Sequence, residues 1–186
     1  MNGLRWGCSM PASASRQWLA VACLVLCGCG TQGLAQPASP PPPPQSWSFI
    51  AFETKSWGEP LSSWRLLRNG GGSWTETIKA KGQRLGEYSI AWHEIEPNEQ
   101  NYTAVERVLR RLPHPAPDFS ECRNLVTDMP YGTIRLTSGA TTIEISWNSG
   151  CMDESYRPFI DTLKEADAMV REWGKAGKVL RTEDVS

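Results

Sequence analysis

Few residues in this chain have the type and spacing to do chemistry. Every cysteine but two lies at or before position 29, which leaves Cys122 and Cys151 as a pair in the body of the chain. In an oxidising compartment such a pair reads as a disulfide. It would close a loop of about thirty residues, which chain entropy values at roughly 3.5 kcal/mol. The rival chemistry is a thiol nucleophile helped by His93 or His114, but neither histidine has an evident orienting partner. A metal would need three or four converging ligands. The two histidines are distant in sequence, and H-x-x-x-H, C-x-x-C and calcium-loop patterns are missing. His93 and Glu94 are neighbours on a strand and so face opposite ways. His93 is therefore expected to be exposed or hydrogen-bonded, and no metal or cofactor is expected.

Glu94, Glu96, Asp118 and Asp128 could supply a carboxylate pair for glycoside hydrolysis, although some pair is inevitable among 20 acids. Asp128, before Met129-Pro130, is expected to cap a turn. No G-x-S-x-G elbow is present. Asn69-Gly70-Gly71-Gly72 could cradle phosphate, but no helix follows and no Walker lysine closes it. Trp47, Trp57, Trp64, Trp74, Trp92, Trp147 and Trp173 recur through the domain. Most sit on apolar faces and read as core. Trp57, beside Gly58 and Pro60 in a turn, is expected to be exposed and able to stack on a glycan or anchor a partner.

These side chains need a frame. Ile134 and Leu136, then Ile143, Ile145 and Trp147, alternate with polar residues and predict a hairpin turning at Gly139-Ala140. Its register pairs Leu136 with Ile143, Ile134 with Ile145 and Arg135 with Glu144. Earlier strands are predicted at Trp47–Glu53, Leu61–Arg68, Ser73–Ile78 and around Tyr88, Ile90 and Trp92. A Gly70-Gly71 turn would set Arg65 opposite Glu76 and Leu67 opposite Trp74. Thr103 and Glu106 form a capping box opening a helix with the stripe Val105, Val108, Leu109 and Leu112. A second helix begins near Ser155 with the stripe Phe159, Leu163, Ala166, Val170 and Trp173, and Gly174 and Gly177 end it. The order ββββ-α-ββ-α predicts an α+β domain: an antiparallel sheet of about six strands with two helices on one face. The domain spans residues 47–177, followed by a polar tail at 178–186.

The first residues read as an export signal, with Arg5 and Arg16 ahead of the apolar run Trp18–Cys27. Two cuts compete. Leu26-Cys27-Gly28-Cys29 resembles a lipobox, which would end the signal peptide at the lipid-bearing Cys29. Gly33-Leu34-Ala35 suits ordinary cleavage after residue 35. A proline-rich linker then fills residues 30–46, with Pro40–Pro44 a stiff spacer. Formal net charge is −1, and beyond residue 46 there are 17 basic against 20 acidic residues, or −3. A mildly acidic domain without a basic stripe argues against nucleic acid.

The Asn-Gly hairpin, the first helix, Thr127-Asp128-x-Pro130, the second hairpin and the C-terminal amphipathic helix together resemble small exported bacterial domains of unassigned chemistry, several borne on lipoproteins. The resemblance covers residues 47 to 174 and implies the same α+β fold without a catalytic residue. The expected function is a non-enzymatic binding or scaffolding module of the cell envelope, periplasmic, acting on a partner that the sequence does not name. It would be soluble or attached to a membrane through Cys29. The rivals are an envelope hydrolase with a site built from scattered acids and histidines, and a secreted inhibitor presenting loop 113–121 or 150–157.

Overall fold

The computed structural model describes residues 46–185 apart from Gln83 and Leu85. The leader, both cleavage sites with Cys29, and the Pro40–Pro44 run lie outside the described residues. The fold is α+β. The strands are β1 (Phe49–Ser56), β2 (Glu59–Leu67), β3 (Gly72–Ile78), β4 (Tyr88–Ile95), β5 (Tyr131–Ser138), β6 (Thr141–Asn148) and β7 (Val179–Val185). They form one sheet in the order β6-β5-β1-β2-β3-β4-β7, and every pair is antiparallel. Helix α1 (Glu99–Leu109) follows β4, and α2 (Arg157–Ala176) follows β6. Their buried faces share one core with the inward residues of β1 to β6.

The sheet thus has seven strands, not six, and the polar tail is a strand. β7 pairs along β4 from Tyr88↔Val185 to His93↔Val179. An edge strand needs one ladder and little burial, so its sequence carries almost no apolar alternation. The β5–β6 hairpin has the expected register, including Leu136↔Ile143, Ile134↔Ile145 and Arg135↔Glu144. The Arg135 guanidinium donates to Glu144 at 2.5 Å on the outer face.

The β2–β3 register differs from expectation. Trp64 faces Trp74 and Arg65 faces Ser73, so Arg65 does not meet Glu76 and Leu67 does not meet Trp74. The loop is wider than two residues: Asn69 Oδ1 accepts from Gly71 N, and Leu67 N donates to Gly71 O. Gly70 takes a positive φ against the Asn98 carbonyl, where a Cβ would collide. The glycine run therefore lets this turn lie on the start of α1.

On β4 the phase is inverted. Ala91, His93 and Ile95 face the core, while Tyr88, Ile90 and Trp92 lie on the outer face. The reading followed the larger apolar residues, whereas the core face carries Ala91, His93 and Ile95. Trp92 is instead covered by the Arg181 guanidinium, 4.3 Å above its ring.

Helix α1 starts a turn earlier than the Thr103 capping box. Asn98 is the cap, its Oδ1 accepting from the Gln100 and Asn101 amides, and Thr103 bonds back to the Glu99 carbonyl inside the helix. Helix α2 runs through Gly174 and ends at Gly177. Gly174 faces inward against the Trp74 indole, so it is a contact point and not a stop. A methyl group there would overlap Trp74. Gly174→Ala should destabilise the fold by about 1–3 kcal/mol despite the better helix propensity of alanine. Urea denaturation checks this, and an increase in stability would show that helix and sheet separate freely.

Candidate functional site

Cys122 and Cys151 are bonded, with Cα atoms 5.8 Å apart. The flanking backbones run as a short ladder: Val126 N donates to Gly150 O, and Met152 N to Asn124 O, both at 2.9 Å. The Asp153 carboxylate accepts from Arg123 N at 2.9 Å, Asn124 N at 3.2 Å and Asn124 Nδ2 at 2.8 Å. Those donors, the Arg123 amide foremost, hold its pKa below the usual value. Cys122, Cys151 and Asp153 come within 4.8 Å of one another, but the sulfurs are spent on each other and the carboxylate on N–H groups. The cluster is a loop clamp, and it ties both 113–121 and 150–157 to the sheet.

The histidines and acids do not converge. His93 is buried, contrary to the expectation of an exposed or hydrogen-bonded ring. Its Nε2 lies 3.4 Å from Glu76 Oε1, its ring packs 4.8 Å from Trp74, and neither nitrogen has a hydrogen-bond partner among the described residues. His114 is exposed in the proline loop beyond α1. Glu94 and Glu96 are exposed, Glu94 on the face opposite His93. Asp118 caps the short 3-10 turn Phe119–Glu121 by accepting from Ser120 N, which lowers its pKa. Asp128 accepts from the Thr127 hydroxyl at 3.3 Å. It cannot cap the residue two positions on, because that residue is Pro130 and has no N–H.

A concave surface lies elsewhere, along one flank of α2. It is a groove of about 470 Å³ between that helix and the ends of β1, β2 and β3 nearest the β1–β2 hairpin. Its floor rests on an aromatic row. Phe52 stacks between Trp64 at 5.5 Å and Trp147 at 5.2 Å. Trp147 reaches Phe52 from two strands away because β5 has Gly132 between them, where a Cβ would crowd the indole. Trp64 Nε1 donates to Asp167 Oδ1 at 3.0 Å and so stitches floor to helix. Burial raises the Asp167 pKa, opposed by that hydrogen bond and by Arg171.

Lys164, Arg171 and Lys175 line the wall. Spaced at i, i+7 and i+11, they share one helical flank. None makes a salt bridge among the described residues, whereas Arg110, Arg111, Arg135 and Arg181 all do. The sequence reading missed this set. The spacing was visible, but acids at Asp161, Glu165 and Glu172 interleave with it and hide it in a linear charge count.

Trp57 is 72% exposed at the tip of the β1–β2 hairpin. It and Gly58 have φ of 53° and 82°. Two positive φ values make a type I′ turn, a place favoured by Asn-Gly. Tryptophan there carries left-handed backbone strain of about 1–2 kcal/mol without burying its ring.

Trp57→Asn should therefore raise the melting temperature, with the gain near 1 kcal/mol. A clear loss in the isolated protein would show that the ring packs. Replacing both Cys122 and Cys151 with serine should cost about 2–5 kcal/mol in thermal or urea unfolding. Unfolded, non-reduced wild-type protein should give no titratable thiol in its mature domain, and two thiols would refute the bridge.

Compared with known proteins, the chain matches no family model, no curated protein and no solved structure.

Proposed function

We propose that this chain is an exported, non-enzymatic binding module of the cell envelope whose working surface is the α2 groove. It would act in the periplasm, released after Ala35 or held by a lipid on Cys29 through the proline-rich linker. The observation that carries this reading is the set of Lys164, Arg171 and Lys175 on a concave wall without ion-pair partners among the described residues. Cations without a salt bridge are common on this surface, and what sets these three apart is that they share one concave wall. Three left open beside an aromatic floor are suited to groups from outside. The same groove holds Glu76 and Asp167 but no cysteine, and His93 lies beneath Trp74, not at its surface. That arrangement offers no nucleophile with an aligned base. Among the described residues no helix is long and apolar enough to cross a membrane.

Nuclear magnetic resonance spectra of the mature protein, mixed with aqueous and organic extracts of bacterial envelopes, test the surface. Shifts should map to the groove and vanish in Ser62→Trp, which fills it. Shifts elsewhere, or turnover of ester, glycoside or phosphate test substrates that Glu76→Gln abolishes, would overturn the reading. The mature N-terminus should begin at Cys29 with added lipid mass or at Gln36, and an intact Met1 in the cytoplasm would refute export.

A further inference from the structure

We infer that the ligand of this groove is an anionic amphiphile, an apolar body ending in a carboxylate or phosphate. This rests on the groove being the binding surface and adds the chemistry of what fills it. The cavity of about 470 Å³ is sized for a small ligand or a single acyl chain with its head. Phe52, Trp74 and Trp147 on the sheet, with Ile160 and Leu163 on the helix, form its apolar base, each no more than 6% exposed. Leu61, 38% exposed, continues that surface to the mouth.

The cations lie on the wall. Lys164, Arg171 and Lys175 extend along roughly 16 Å of α2 at the helical rise. Two carboxylates share the lining, Glu76 on β3, which makes no hydrogen bond to the neighbouring His93, and Asp167 on α2. Glu76 lies against His93 at 3.4 Å. Asp167 accepts from Trp64, and it is the group in the wall whose charge its surroundings disfavour. The three cations are exposed, and although Arg171 is near enough to Asp167 to lower its pKa, none of the three makes a salt bridge among the described residues. A small hydrophilic anion would meet the cations and leave Leu61 and the accessible edges of the apolar base in water. A neutral apolar molecule would cover that base and leave the cations unanswered. Only a molecule with both parts satisfies both surfaces, with charge-assisted hydrogen bonds at the head and area burial along the body. Thr54 and Ser62, half-buried in the same lining, add hydroxyls that suit a head group's oxygens.

Calorimetric titration of the mature protein below the critical micelle concentration decides it. The probes are dodecanoate, lysophosphatidylglycerol, dodecyl maltoside and inorganic phosphate. Dodecanoate or lysophosphatidylglycerol should bind saturably at one site, and the tighter of the two identifies the head as carboxylate or phosphate. Dodecyl maltoside and inorganic phosphate should each bind at least about tenfold more weakly, since each lacks one part. Arg171→Gln with Lys175→Gln should weaken the anionic probes by about tenfold or more, and added salt should do the same in wild type. Equal binding of the maltoside, or no effect of the double variant with an unchanged melting temperature, would overturn the anionic head. Phosphate alone binding as tightly would overturn the apolar body.

The two readings fail differently. Amphiphile binding that survives both Ser62→Trp and Thr54→Phe would place the ligand outside the groove and sink the site itself. No amphiphile binding, with extract-induced shifts still abolished by Ser62→Trp, would keep the groove and discard this ligand class.

Discussion

The structure depends on how closely α2 can approach the sheet, and the missing side chain of Gly174 sets that distance over Trp74. Gly174 seats the helix on the Trp74 indole, and Gly132 opens β5 so that Trp147 can lie against Phe52. The result is a row of large rings on β6, β1, β2 and β3, with the His93 ring continuing it onto β4. Aromatic side chains bury about 150–250 Å² each, which at about 25 cal/mol per Å² is roughly 4–6 kcal/mol apiece before entropy is counted. Trp64, Trp74, Phe52 and Trp147 all belong to this row and are all nearly or fully buried. Trp64 Nε1 donating to Asp167, and Arg111 donating to Glu165, hold α2 to the sheet and to the end of α1. With α2 held there, Lys164, Arg171 and Lys175 line the groove.

Holding Asp167 in place has a cost of its own. Its folded pKa is raised by burial, so the native state binds its proton more tightly than the unfolded chain does. The sign follows: this contribution favours folding below the ordinary aspartate range and is lost as pH rises through the raised value. At neutral pH the ionised carboxylate is a burden that Trp64 and Arg171 partly offset. Asp153 behaves in the opposite sense. Its pKa is lowered by amide donors, so its support is present above the ordinary range and fades as pH falls. The groove and the disulfide clamp therefore respond to acid in opposite directions.

What could be read from the sequence divides along physical lines. The β5–β6 hairpin was legible to the residue because strict alternation and a two-residue turn leave one register. The disulfide was legible because Cys122 and Cys151 are the two cysteines beyond position 29. Both helical stripes were legible, although the capping signal at Thr103 competed with the better-placed Asn98. β7 was not, since an edge strand of charged residues resembles a tail. The face of β4 was misassigned because the larger apolar residues Tyr88, Ile90 and Trp92 lie on its outer face. The groove was invisible for a different reason. Its residues come from four strands and a helix, and no local spacing links Thr54, Ser62 or Glu76 with Lys175.

The strand order carries a kinetic consequence. β1 to β4 form a meander of successive hairpins, each pairing with its sequence neighbour. The β5–β6 hairpin is equally local, yet it must dock on β1, and β7 must dock on β4. The bonds that seal those two seams span 89 residues at Ser48–Thr137 and 95 residues at Ser89–Asp184. Contacts of such sequence separation are won late, after loop entropy has been overcome. The meander is thus a nucleus with two open edges, and each of the helices α1 and α2 is the tether that delivers a closing strand to one of them. Between those events the β1 and β4 edges are the places where this chain would pair with another copy instead of itself.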